Sequence, residues 1–425
     1  MKTLLIRFSI LISWMTFMLS GMMYAQQPEI GNYRSNDKLG VNVFEAPKTD
    51  VEFTGLKLRV GGDFALQFQG LSHSNDGVGD ELGKVQSNFN LPAANLNFDV
   101  QLSKGIRMFL RTYLSSRHHT EAYVRGGYLQ MDNLDFIKEG FMSGLMEKTT
   151  IRMGMDEINY GDAHFRRSDN ASAMFNPFVG NYIMDAFTTE PFMEILYRSN
   201  GFIGLIGFTN GRLNQKPVPG DNGYVTFGKI GYDNYATDDV RLRITGSFYT
   251  STSNGTRDYL YGGDRAGARY YAIMEAGDFS GRFNPRFGSQ KAFQINPFIK
   301  ASGFEFFGTL EKIMNNAIIG GEGSDSNDKV GGAFTNLGME AIYRIGTEER
   351  FYLGGRFNSI SGTSETNGLN RKISRINIGG GWFMTDNVLT KIEYVNQSYS
   401  GDAWDDSLYQ GGGFNGIMIE AAISF

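Results

Sequence analysis

The chain has 425 residues, among them 55 glycines, 9 prolines, no cysteine, and aromatic side chains at 14%. A chain without cysteine builds no disulfide framework and no thiolate metal site, and a formal net charge of −5 argues against nucleic acid as a partner. Length alone allows two or three soluble domains, yet no shift of composition marks a boundary, and glycine- and aromatic-rich strands joined by polar loops are the make-up of a large β-barrel.

At the N-terminus, Lys2 and Arg7 precede an apolar run from Phe8 to Met23, and Ala25 followed by Gln26 offers a cleavage point. Residues 1–25 therefore read as a secretory signal peptide, the run being short for an uncleaved anchor. Its removal takes away two cations and no acid, leaving the chain at −7. Residues 26–54 are polar and irregular and read as a periplasmic N-terminal segment, too short for the plug of a gated receptor. No later apolar run reaches the roughly 18 residues of a membrane helix.

The stretch from Gly55 to Ser72 sets the pattern of residues 55–425, which read as one outer-membrane β-barrel. Leu56, Leu58, Val60, Phe64, Leu66 and Phe68 alternate with Lys57, Arg59, Asp63, Gln67 and Gln69. Side chains alternate across a strand with period two, so one face is greasy and the other wet. The strand exceeds the roughly 9 to 11 residues that a tilted strand needs to cross a bilayer. The alternation recurs at 95–102, 106–114, 121–131, 149–156, 189–199, 201–210, 222–232 and 239–251. It continues at 267–276, 290–301, 303–314, 330–346, 350–361, 372–384, 387–399 and 413–425.

A bacterial barrel has an even number of antiparallel strands, short periplasmic turns and longer external loops. Tight turns near Ser103 to Gly105, Asn200, Ser302, Thr347 to Glu349 and Thr385 to Asp386 share one side only if 267–276 is no strand. Residues 252–289 then form one long external loop, and the chain is an all-β, up-and-down transmembrane barrel of 16 strands. A hairpin hidden in that loop or in 133–148 would make 18. The last strand ends on Phe425, which looks like an outer-membrane assembly signal.

Sixteen strands leave room for an aqueous channel. The wet faces carry Lys57, Arg59, Arg107, Arg111, Arg152, Arg241, Arg243, Lys300, Arg344, Arg356, Arg375 and Lys391, against Asp63, Asp99, Glu194, Glu305, Glu311, Glu340 and Glu393. This excess of cations predicts a lean toward anions, although such charges also serve as ion pairs across the wall. Residues 157–188 form the third external loop. Phe165, Met174, Phe175, Phe178, Tyr182 and Met184 are too many apolar side chains for a loop in water, so it is expected to fold into the barrel, with Arg166 and Arg167 at a pore constriction.

The block IRMGMDEINYGDAHFRRSDNASAMFNPFVGNYIMD from Ile151, with GFIGLIGFTNG at 201–211 and GFEFFGTLEK at 303–312, resembles the phosphate-selective porins O and P in a Bacteroidetes-type form. The resemblance implies a sixteen-stranded, usually homotrimeric, anion-conducting porin with an infolded third loop. Acids dilute the basic ladder that phosphate capture asks for.

Other motifs carry less. His118 and His119 point to opposite sides of an extended chain and with Glu121 make a poor metal or hydrolase centre. Residues 77–84, GVGDELGK, have the wrong spacing for a phosphate loop. The acidic run 322–328 reads as a solvated loop tip, or as a loose cation bridge to lipopolysaccharide. No cofactor, metal or catalytic centre is expected. The expectation is a passive outer-membrane porin for small polar or anionic solutes, the alternatives being a structural or secretion-associated barrel and a barrel-type hydrolase.

Overall fold

The structure is a computed structural model that describes residues 27–77, 82–114, 123–211, 224–251, 260–262, 270–274, 281–285, 287, 290–315, 332–363 and 368–425. The signal peptide, His118, His119, Glu121 and the acidic run 322–328 lie outside the described residues.

Sixteen strands follow one another in chain order. They are β1 Lys57–Ser74, β2 Asn88–Ser103, β3 Ile106–Tyr113, β4 Tyr123–Met131, β5 Thr149–Glu157, β6 Thr189–Ser199, β7 Phe202–Thr209 and β8 Val225–Thr237. The second half comprises β9 Val240–Ser251, β10 Gln290–Ala301, β11 Phe304–Asn315, β12 Gly332–Ile345, β13 Phe351–Thr363, β14 Arg371–Thr385, β15 Val388–Ser400 and β16 Gly413–Ser424. Each pairs antiparallel with its neighbours in sequence, and β1 closes on β16 to make a barrel. Closure satisfies every strand edge, as a backbone in hydrocarbon requires.

β9 pairs directly with β10, from Lys291 opposite Thr250 onward, so 252–289 inserts no strand between them. The segment between β4 and β5 holds a one-turn helix at Ser143–Met146 in place of a hairpin. Sixteen is therefore the strand count. The clearest departure from the sequence reading is β2, which starts at Asn88, seven residues before 95. Its pairing with β1 shifts register between Ala65 and Gln67, beside Pro92, which has no N–H to give the ladder. The bulge reverses the alternation, and a strict period of two stops at it.

The alternation sorts the faces as read. On β1, Leu66 is 47% exposed and its neighbour Gln67 is 2% exposed. The outward row of Leu58, Ile206, Leu310, Leu353, Ile378 and Ile392 gives the barrel a lipid-facing belt, with Phe202, Tyr232, Phe304, Tyr343, Phe351, Trp382 and Phe425 exposed toward the end that carries the short turns. Phe351 and Trp382 stack at 5.5 Å between centroids. Phe425 seals the seam: its N–H donates to the Gly62 carbonyl and the Gly62 N–H returns a bond, each at 3.1 Å. A Cβ on Gly62 would lie 2.8 Å from the Phe425 ring, so that close approach needs glycine.

Candidate functional site

The third loop, 158–188 between β5 and β6, lies inside the barrel. Met174, Phe175, Phe178, Tyr182 and Met184 are all buried, as their apolar surface demands. Three short 3-10 turns, Ala163–Arg166, Asp169–Ala171 and Ala173–Phe175, fold it back on itself. The wall is shaped to receive it: a Cβ on Gly338 would sit 2.6 Å from the Tyr182 ring.

Polar bonds fix the loop to β8–β15. Lys391 donates to the carbonyls of Ala173, Asn176 and Phe178 at 2.9, 3.1 and 3.0 Å. Glu393 accepts from the N–H groups of Val179 and Gly180 at 2.8 and 3.2 Å. Arg356 donates to the Gly180 carbonyl at 2.6 Å and pairs with Glu340 at 2.7 Å. Asp162 binds Lys229 at 2.7 Å and Arg243 at 2.8 Å.

Residues 27–54, expected as a lead-in, are tucked into the same interior. Phe44 is buried against Phe165 and Phe298, at 5.7 and 5.2 Å between centroids. Glu45 takes two bonds from Arg243, at 2.8 and 2.9 Å. Arg34 donates to the Phe165 carbonyl at 3.0 Å, and its guanidinium lies 3.8 Å over Phe175. Asn36 donates to Asp63 at 2.6 Å, and Lys48 lies 3.2 Å from Asp132. Burial alone would push Glu45 up, but Arg243 and Lys229 beside it bring it down to about 2. Asp162 is likewise held below its ordinary value by the same two cations against the effect of burial. His164 goes the other way for a base: burial, then Lys229 and Arg167, push it well below 6.5 and keep it neutral.

The expected site residues separate into two groups. Arg166 and Arg167 do sit in the infolded loop, but each is 2% exposed. Arg166 pairs with Glu305 and Glu340 and donates to Asn42, and Arg167 pairs with Asp185 and Glu157. Arg243, Arg356 and Arg375 are buried behind the loop, and Arg375 donates to Gln397 and to the carbonyls of Asn181 and Gly281. Arg241 pairs with Asp233 at 2.7 Å, and Lys57 stands at the mouth, donating to the carbonyls of Glu29 and Glu52.

Arg59, Arg107, Arg111 and Arg152 meet in a different place. They line a chamber of about 190 Å³ between the β1–β6 wall, the third loop and residues 32–36 and 44–46. Arg107 pairs with Asp99, Arg111 with Asp156 at 3.1 Å, and Arg152 with Glu194, its Nε 2.7 Å from the carboxylate. Rings stand between the guanidiniums. Tyr128 lies 4.9 Å from Arg152, Phe109 lies 5.0 Å from Arg111, and the two rings are 5.4 Å apart.

The open, cation-rich lumen expected from the strand faces is therefore corrected. The described interior is mostly filled, and its cations are largely paired. The count of strand-face charges left out Glu45, Asp162, Asp169 and Asp185, which the N-terminal segment and the third loop bring in, and also Asp156 and Glu157 at the end of β5. A signal was present in the sequence: Phe44 in a supposedly free segment, and three acids against two arginines inside one loop.

No family model matches the chain, and no curated protein matches it. Solved structures do. OmpT of Vibrio cholerae aligns at a TM-score of 0.54 with 8% identity, over 88% of this chain and 99% of that one. The outer-membrane channel DcaP of Acinetobacter baumannii aligns at 0.52 with 12% identity, over 88% and 99%. An anion-selective porin from Comamonas acidovorans aligns at 0.52 with 10% identity, over 87% and 100%. The fold is that of the outer-membrane porins. This porin fold, with its lipid-facing belt, places the chain in the outer membrane.

Proposed function

We propose that the chain is a porin-type channel through which small hydrophilic solutes cross the outer membrane by passive diffusion. The observation that carries the reading is the conjunction of a closed sixteen-stranded barrel, an infolded third loop and a charged chamber held between that loop and the wall. A lean toward anions is part of the proposal. It rests on Arg34 and Arg59, which line the chamber with no carboxylate within ion-pair distance among the described residues. In this reading Arg59, Arg107, Arg111 and Arg152 meet the solute, while Arg166 and Arg167 hold the loop in place.

Kinship with the phosphate-selective porins O and P, and phosphate as a solute, belong to the same proposal at its finest grain. The paired charges of the interior support a weak preference in place of a strong one. A homotrimer is proposed as well, and one solved form of the Vibrio cholerae protein is a trimer. Purified protein in planar bilayers tests the channel: discrete conductance steps with a cation/anion permeability ratio below one are expected, and a ratio above one overturns the anion lean. A second reading, a structural or secretion-associated barrel, is favoured by how densely the interior is filled. Absence of any conductance, together with co-purification of a large complex, would establish it.

A further inference from the structure

Three features stand apart in the structure: the exposed apolar side chains of the β4–β5 turn, the buried charge cluster around Arg243, and the chamber. Nothing in the structure says what covers the first, and the second is saturated by its own bonds. The chamber has unspent valence.

Its polar atoms divide unevenly. The Nε atoms of Arg59, Arg107 and Arg111 are buried and bond to nothing among the described atoms, and so is Nδ1 of His164. The carboxylates that line it are already engaged: Asp99, Asp156 and Glu194 by the arginines of the wall, Asp132 by Lys48, Glu157 by Arg167, Glu45 by Arg243. Arg59 stands opposite Asp99 in the β1–β2 register, yet Asp99 bonds Arg107, and Arg59 meets Tyr33, 5.2 Å from its ring and in a side-chain hydrogen bond with it, with Nε left unbonded. The spare capacity is thus mainly that of guanidinium donors with positive charge, which suits an acceptor-rich anion. Asn97 Oδ1 and Glu194 Oε2 are the unengaged acceptors on the same lining.

Shape narrows the chemistry. Tyr33, Phe109, Tyr128, Phe165 and Phe175 present rings to the space. A cavity of about 150 Å³ accommodates benzene, so about 190 Å³ holds one ring with a carboxylate attached. Inorganic phosphate, small and polar on every side, would leave those rings unused. We propose that the chamber is a binding site for a small aromatic monocarboxylate, its carboxylate on Arg59 and its ring among the aromatic side chains. The proposal deepens the channel reading by naming a class of solute.

The test is titration calorimetry of the purified full-length barrel in detergent micelles with benzoate, benzamide, acetate and inorganic phosphate. Benzoate is expected to bind at least tenfold more tightly than its neutral isostere benzamide and than acetate or phosphate. Arg59→Gln is expected to weaken benzoate about tenfold or more while leaving benzamide unchanged, and Arg59→Lys to recover part of the loss. Equal affinity for benzoate and benzamide, tighter binding of phosphate than benzoate, or an Arg59→Gln protein that binds benzoate as before would each overturn the proposal. If Arg59→Gln does not fold, the four-ligand comparison on the unaltered protein decides alone. Benzoate binding in a protein that never conducts would sink the channel reading and keep the site; conductance indifferent to benzoate, with no binding heat, would do the reverse.

Discussion

The two sides of the barrel interior use the same residue types to opposite ends. Along β8–β15 the inward arginines and lysines are covered by the third loop and the N-terminal segment, and several bond two or more acceptors: Arg243 holds Glu45, Asp162 and Asp233, and Lys391 holds three loop carbonyls. Along β1–β6, Arg107 bonds Asp99, Tyr128 and Gln130, Arg111 lies beside Asp156 and Glu157, and Arg152 holds Glu194, while Nε of Arg107 and of Arg111 bonds nothing among the described atoms. Charge on the covered side is mortar; on the chamber side it borders the cavity. A basic residue on a lumenal face is therefore not by itself a selectivity residue, because the segments packed over it decide what it meets.

That contrast can be broken in order of expected size. Arg243→Met removes the cation shared by Glu45 and Asp162 and leaves buried carboxylates under-compensated, a loss of about 3–5 kcal/mol. Thermal unfolding at a lower temperature, with protease cleavage inside residues 27–54, is the expected result; an unaltered melt would deny the segment its anchor. Gly338→Val drives a side chain into the Tyr182 ring and costs about 1–3 kcal/mol through overpacking. Loosening the loop should raise single-channel conductance, and a smaller conductance would contradict the docking.

Acid gives a graded version of the same test. Glu45 is held near 2 against an ordinary value of 4.5, so its charge stabilises the docked segment above pH 4.5 and that contribution fades as pH falls toward 2. His164, kept neutral well below 6.5, adds in the same direction: once the ordinary histidine range is crossed, acid favours a state in which it is exposed and protonated. Protease protection of residues 27–54 should persist at pH 7, begin to weaken as pH falls through the ordinary histidine range and weaken further below pH 4.5; release on raising the pH would refute the pairing. Smallest in stability is Arg59→Gln, on the chamber side, at about 1 kcal/mol or less because no carboxylate loses its partner. It should nonetheless move the reversal potential toward cation permeation, which Arg243→Met should not do while the barrel stays folded.

How much of this was legible follows from the physics of a strand. Period-two alternation reports only whether a side chain faces lipid or interior, and it held along most of the described strands, which is why the strand count could be worked out from parity. It failed where an extra residue entered the ladder, at Pro92. The third loop announced its inward course by its own aromatic residues.

The chain by itself determined the barrel, its closure and the infolding of residues 158–188, since hydrocarbon outside and buried apolar surface inside leave no other arrangement for those patterns. Only the tertiary structure decided which charges are spent and which are free. Arg166 meets Glu305 and Glu340 across 139 and 174 residues, and Glu45 meets Arg243 across 198. Such pairings are set by which strands and segments face one another across the lumen, a relation between distant parts of the ribbon that alternation along it does not encode.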